Sequence, residues 1–235
     1  MDHPGVAAVR GRTPRPEPAR GVGEPIYPER DAAELVECQH HERLLNLAFA
    51  DSELSLLCPY DTEMLDPRII AEARHSHPLI VDGDGKHSNH DYTGHEQDRA
   101  LWVRALPEPD GQPRSFQFDR AALRGTRELV TRAARDAGLS RERRQDLVLA
   151  VHEVATNSIR HGGGHGLLRV WREPRALVCE IRDQGTIDDP LAGRRRPTGD
   201  QGSGYGLWLA NQLCDLVQLR SDATGSTARL HMRLG

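Results

Sequence analysis

Aromatic residues are scarce in this chain of 235 residues, at 4% of the total. Cysteine is scarcer still. Cys38, Cys58, Cys179 and Cys214 form no CxxC pair, which excludes a knuckle-type zinc site and a disulfide framework and leaves reduced thiols in a cytoplasmic protein as the expectation. No apolar run approaches the ~18–20 residues that a helical membrane span requires. The N-terminus has no apolar stretch behind its charges, so no secretory signal is expected. Neither sign of charge prevails: 31 Lys and Arg face 35 Asp and Glu, for a net charge of −4. That balance argues against bulk electrostatic binding to nucleic acid or to an anionic membrane. Internal repeats are absent. What remains is 37% apolar and 28% charged residues, enough for a core, in a length that at ~100–200 residues per domain allows one large domain or two small ones.

Residues 1–22 are rich in Pro, Gly and Arg, have no apolar period, and are predicted to be a disordered arm. From 23 to 105 the pattern changes. Leu35, Val36, Leu44, Leu45, Leu47 and Phe49 suit a helix from Asp31 to Ala50. Leu54, Leu56 and Leu57 read as a buried strand stopped by Pro59. Asp66 and Pro67 cap and open a second helix that ends before Pro78. Residues 82–97 are polar and His-rich and read as a loop. Three prolines and a glycine in 106–113 mark a linker.

The remaining residues, 114–235, read as β-α-α-β-β-loop-α-β-β. Ser140 caps the second of these helices and Gly138 closes the first. The last strand alternates, with Ala228, Leu230, Met232 and Leu234 on one face and Thr227, Arg229, His231 and Arg233 on the other. One face covered by helices and one facing water would give this pattern. Clustered rather than alternating elements favour an α+β fold, a two-layer α/β sandwich, with a smaller α/β N-terminal domain in front.

Four short pieces in the C-terminal half could carry chemistry. Glu153 and Asn157 stand four residues apart on one polar helix stripe that His161 continues. A carboxylate and an amide oxygen are hard donors suited to Mg²⁺, and Glu153 could accept a proton. Asp183-Gln-Gly185 ends a strand that reads as buried, where the carboxylate could accept a hydrogen bond from an exocyclic amine and Gly185 permits close approach. Gly202-Ser-Gly204-Tyr-Gly206-Leu207 leads into a helix N-terminus that favours phosphate, but it is neither a Rossmann fingerprint nor a P-loop. Gly225-Ser226-Thr227 opens the last strand and could place the Thr227 hydroxyl beside Asp183. Each piece taken alone is also what a solvated helix face or an ordinary turn would show.

In this order, over about 116–234, they resemble the GHKL ATPase superfamily and its Bergerat nucleotide fold: HEVATNSIRHG is similar to the N box, DQG to the G1 box, GSGYGLWLANQLCD to the G2 box and GST to the G3 element. Within that superfamily the short domain is most similar to the anti-sigma-factor serine kinases. The resemblance implies ATP and Mg²⁺ as cofactors. It implies that Asn157 holds the metal, that Glu153 is the general base or orients water, and that Asp183 reads adenine with help from Thr227. Gly185, Gly204, Gly206 and Leu207 would shape the lid and phosphate contacts. The partners implied are a sigma factor and a STAS-type anti-sigma-factor antagonist. Members commonly dimerise through the kinase domain, and no motif here marks a homodimer. One departure stands out: many members have a second glycine in the G1 box where this chain has Ile187.

The front segment resembles the MEDS sensory domain through GEPIYP at 23–28, Glu42, Asn46, LCPYDT at 57–62 and His77-Pro78. These match only the later part of that domain. His40-His41-Glu42 is similar to the phosphoacceptor box of sensor histidine kinases but lacks its proline. His75, His77, His87, His90 and His95 with Cys58 fit no common metal spacing. Arg194-Arg195-Arg196 reads as a solvated run. Three functions therefore remain open: a serine/threonine kinase that regulates a sigma factor, a histidine kinase using His40 or His41, and a module that binds ATP and sequesters partners without transfer.

Overall fold

The protein is described by a computed structural model covering residues 19–94, 96–197 and 204–235. The front segment comprises β1 (Arg20–Val22), α1 (Ala32–Ala48), β2 (Ser55–Leu57), α2 (Pro67–Ser76), β3 (Leu79–Asp82), β4 (Gly85–Ser88) and α3 (Glu96–Val103). The start of α1 is fixed by a reciprocal capping box. Asp31 accepts from the Glu34 backbone N–H and Glu34 accepts from that of Asp31, so two otherwise orphaned donors are satisfied. Asp66 caps α2, with Pro67 at its first position.

Three expectations for this segment are corrected. Arg20–Val22, within the arm read as disordered, pairs in parallel with Ser55–Leu57. A strand so short, with its partner far along the chain, leaves no local period to read. The second correction concerns that partner: β2 is not buried, and Leu57 is 51% exposed because its sheet has only two strands. Finally, the loop read at 82–97 contains β4, hairpin-paired with β3 over Gly83-Asp84, and the start of α3. The Asp82 side chain accepts from the Asp84 N–H, an Asx turn of the kind such Asp-Gly sequences favour.

The C-terminal half follows the predicted order: β5 (Arg114–Asp119), α4 (Leu123–Asp136), α5 (Arg141–His161), β6 (His165–Arg172), β7 (Ala176–Asp183), α6 (Tyr205–Leu213), β8 (Leu216–Asp222) and β9 (Gly225–Arg233). The five strands form one antiparallel sheet in the order β5-β6-β7-β9-β8. Leu168, Val170, Cys179, Ile181, Leu230 and Met232 meet Val130, Leu147, Val151 and Val154 of α4 and α5 in a single core. Full burial of such side chains contributes ~1.5–3 kcal/mol each.

The other face of the sheet does not face water as its charge suggests. Arg169, Gln218, Arg220, Arg229 and His231 are buried, and Glu180 is 0% exposed. Glu180 accepts hydrogen bonds from Arg169, Arg182 and Arg229. The segment read as a linker lies on this network. Glu108 accepts from Arg169 at 2.6 Å and from Arg182 at 2.7 Å, and the Pro107 carbonyl accepts from Arg229. Toward β8, Glu37 of α1 accepts from Arg220, while α3 packs along β8, the edge strand. Alternation revealed two faces, but a charged face is compatible with solvent or with an internal ion network, and here the front segment covers it.

Candidate nucleotide-binding site

The site is assembled around one helix. At the end of β7, Asp183 accepts three hydrogen bonds: its Oδ1 from the Gly185 N–H (2.9 Å) and the Ser226 hydroxyl (2.9 Å), its Oδ2 from the Ser158 hydroxyl (2.6 Å). Ser158 belongs to α5, so the G1-like turn is tied to the N-box-like helix. Gly162, just past the end of α5, makes this possible, because a Cβ there would lie 2.7 Å from Asp183 Oδ1 and overlap its carboxyl carbon.

Further back along α5, Glu153 and Asn157 face α6. A Cβ on Gly206 would sit 3.0 Å from Asn157 Nδ2 and 3.4 Å from Glu153 Oε2, so the absence of a side chain lets the start of α6 rest on this stripe. Gly204 precedes α6 at φ +107° and, among the described residues, no side chain caps the helix, which leaves its first N–H groups available to an anion. Leu207 and Asn211 of α6 support the incoming loop: Asn211 donates to the Gly193 carbonyl at 3.2 Å, and Leu207 lies against Gly193. Gly202 falls outside the described residues. Glu153, Asn157, Asp183, Gly185, Gly204, Gly206 and Leu207 are thus gathered along α5 and at the start of α6.

Thr227 is not part of this group. The register pairs Asp183 with Ser226 and Arg182 with Thr227, so Thr227 projects from the opposite face of the sheet and Ser226 supplies the hydroxyl. The alternation of β9 already carried this signal, since Ser226 continues the face of Ala228 and Leu230. Ser158 and Gly162 also escaped the sequence reading. Both neighbour motif residues, but only the packing of α5 against β7 shows what they touch.

Residues 116–232 match the histidine kinase-like ATPase domain, and residues 8–78 match the MEDS domain, the methanogen/methylotroph DcmR sensory domain. The C-terminal half is a histidine kinase-like ATPase domain. Solved structures similar to the chain include the RsbU and RsbW domains of Rv1364c from Mycobacterium tuberculosis (20% identity, 55% of this chain and 33% of that one, TM-score 0.41). Others are the blue-light activated histidine kinase EL346 of Erythrobacter litoralis (11% identity, 86% and 95%, TM-score 0.35) and the histidine kinase AdeS of Acinetobacter baumannii (10% identity, 85% and 95%, TM-score 0.32). The chain thus spans about a third of the Rv1364c structure. No curated protein matches it.

The residues present in the ATPase domain fit a nucleotide. A carboxylate has about four acceptor positions; three on Asp183 are taken by donors that fix its orientation, leaving one on Oδ2 for an exocyclic amine. Among the described residues, no hydrogen bond engages the Asn157 amide or the Glu153 carboxylate, so both remain free for a cation or a transferred proton.

The loop after Asp183 is fastened on two sides. The Ile187 N–H donates to the Ser221 hydroxyl at 2.8 Å, and its carbonyl accepts from the Trp102 indole at 3.1 Å. Arg194, expected to be solvated, lies 3.7 Å from Glu37 of α1, and burial lowers its pKa. Arg195 and Arg196 are exposed as expected. In the front segment His40 is 1% exposed, held between Glu37 and the Trp102 ring. His41 is half-buried, its pKa lowered by burial and by Arg194. Of the five histidines weighed as metal ligands with Cys58, His77 alone lies beside it among the described residues; His95 falls outside them. No helix among the described residues is long and apolar enough to cross a membrane.

Proposed function

We propose that the chain is a cytoplasmic, ATP-dependent protein serine/threonine kinase of the anti-sigma-factor type, which binds a sigma factor and phosphorylates a STAS-type antagonist. The observation that carries this reading is the convergence on α5: Ser158 holds Asp183, and Gly206 brings the uncapped start of α6 onto Glu153 and Asn157. In this reading Asp183 accepts from the adenine amine. The first N–H groups of α6 would bind phosphate oxygens, and Asn157 would hold Mg²⁺. The bound Mg²⁺ would neutralise charge on the phosphates, which is most of what phosphoryl transfer needs beyond alignment. Glu153 would accept the proton of the attacking serine hydroxyl as its oxygen bonds the γ-phosphorus and the bond from that phosphorus to the β-phosphate oxygen breaks, releasing ADP.

The test is incubation of the full chain with γ-labelled ATP and a panel of STAS-type antagonists. Acid-stable phosphoserine on one antagonist is the expected result. Acid-labile label on the chain itself would replace this reading with a histidine kinase, for which the burial of His40 leaves the half-buried His41 as the acceptor. A second reading, an ATP-binding module without transfer, is favoured by the fastening of Ile187, and nucleotide binding with no label transferred to any partner would establish it.

A further inference from the structure

Three side chains of the front segment that take no part in the nucleotide site meet at one point. Glu42 on α1, Cys58 just after β2 and His77 just after α2 offer a carboxylate oxygen, a thiol sulfur and a ring nitrogen, all within 4.8 Å of one another. They come from three separate elements, and no spacing in the sequence announces them.

Glu42 is 2% exposed. Its Oε2 accepts from the Tyr60 hydroxyl, but its Oε1 is buried and has no hydrogen-bond partner among the described residues. The Cys58 thiol, a weak donor, interacts with this carboxylate; a buried carboxylate oxygen with no stronger donor is rare in a native fold, and an ion accounts for it. The histidine is set up in a complementary way. His77 Nδ1 lies 2.8 Å from the Ala73 carbonyl, which can only accept. Nδ1 therefore carries the proton and Nε2 the lone pair. That arrangement, with one ring nitrogen donating to a backbone carbonyl, is what orients histidine as a metal ligand. The Tyr60 ring stands edge-on to His77, with centroids 5.7 Å apart, and walls the point.

We propose that Glu42, Cys58 and His77 form a binding site for one divalent transition-metal ion of the zinc type. The donor set decides the class. Sulfur, imidazole nitrogen and a single carboxylate suit Zn²⁺ and its neighbours, whereas Mg²⁺ and Ca²⁺ take oxygen donors. Three protein ligands leave a fourth tetrahedral position open, as at zinc sites that bind an exchangeable molecule. The charges also close. A thiolate and a carboxylate bring two negative charges into a buried place, and a divalent cation cancels both. Burial pushes the Cys58 thiol, with help from Glu42, up to about 11, and burial raises Glu42 as well. Binding exchanges the Cys58 S–H bond for a sulfur–metal bond. The displaced proton, and that of Glu42 where it is protonated, leaves to solvent, and no oxidation state changes.

The full chain, stripped with chelator and titrated with Co²⁺ under reducing, anaerobic conditions, tests this. A thiolate-to-cobalt charge-transfer band that saturates at one Co²⁺ per chain and is displaced by Zn²⁺ is expected. It should vanish in Cys58→Ser, weaken at least tenfold in Glu42→Gln, and persist in Cys214→Ser. A band that never saturates at one equivalent, or that survives Cys58→Ser, overturns the proposal. Because a variant that fails to fold would also lose the band, a second measurement uses the unaltered chain. Zn²⁺ should protect Cys58, and not Cys214, from iodoacetamide as mapped by peptide mass. Equal alkylation of Cys58 with and without Zn²⁺ overturns the assignment.

Discussion

Replacing Asp183 by Asn changes one atom, and the structure shows what that change does. Gly185 donates to Asp183 through a backbone N–H that cannot turn away, and Ser226 donates to the same oxygen. The Asn carbonyl must therefore take the Oδ1 position, which places the NH₂ group where Oδ2 was. Ser158 adjusts readily, because the Val154 carbonyl lies 3.3 Å from its hydroxyl; it can donate there and accept from the new amide. The fold thus loses about one neutral hydrogen bond, ~0.5–1.5 kcal/mol. Nucleotide binding loses more. The one open acceptor position becomes a donor, facing the adenine amine, which is also a donor. A hydrogen bond to a charged group contributes ~1.5–3 kcal/mol, and at ~1.4 kcal/mol per decade Asp183→Asn is expected to weaken ATP about 10- to 150-fold. GTP, whose base presents a carbonyl oxygen at that place, should be weakened less. Equilibrium dialysis with labelled ATP and GTP, alongside circular dichroism to confirm the fold, measures both. A folded Asp183→Asn protein that binds ATP as well as the unaltered chain would refute the adenine assignment.

Glu153→Ala should leave ATP binding in place and reduce transfer to the antagonist by ~10²–10⁴-fold, the usual contribution of a general base, as read by single-turnover label transfer. Glu180→Gln removes the one buried counter-charge shared by Arg169, Arg182 and Arg229; breaking such a buried network costs ~3–5 kcal/mol, to be read by urea unfolding. Glu108→Gln, on a side chain 65% exposed, should cost under ~1 kcal/mol in the same experiment. The Glu108 carboxyl is held down at about 2, from an ordinary value of 4.5, by hydrogen bonds from Arg169 and Arg182. A lowered folded-state pKa gives stability that is present above the ordinary value and lost as pH falls through the folded one. The 106–113 segment should therefore stay docked at pH 5 and loosen between about 4.5 and 2, as followed by hydrogen exchange. Trp102→Phe deletes the hydrogen bond to the Ile187 carbonyl; at ~0.5–1.5 kcal/mol per bond and ~1.4 kcal/mol per decade, ATP release should quicken about 2- to 12-fold in stopped flow, and an unchanged rate would detach Trp102 from the lid.

The C-terminal element order was legible because local signals agree. Ser140 caps α5, Gly138 at φ +84° closes α4, and the alternation of β9 separates its two faces. The destination of the second face was not legible. Arg169, Arg229 and Arg220 look solvent-facing on their own strands, and only three-dimensional pairing, of Arg169 and Arg229 with Glu180, of Arg169 with Glu108 and of Arg220 with Glu37, offsets the cost of their burial. Most of the candidate site was legible as motif residues. Its internal connections were not, apart from the choice of Ser226 over Thr227, which the strand parity contained. The Glu42, Cys58 and His77 group illustrates the opposite case: its members were visible as residues of the MEDS resemblance, but their meeting depends on how α1 and α2 pack.

Ile187 ties these observations together. A glycine at position 187, as in many G1 boxes, would let the chain after Asp183 turn freely. Here the equivalent residue packs against the core, donates to Ser221 of β8 and accepts from Trp102 of α3. A few residues on, Gly193 rests on α6 and Arg194 pairs with Glu37 of α1. The loop after Asp183 is thus fastened at both places to elements of the front segment. The departure at Ile187 thus replaces a freely turning residue with one held by Ser221 and Trp102, a few residues before Arg194 meets Glu37.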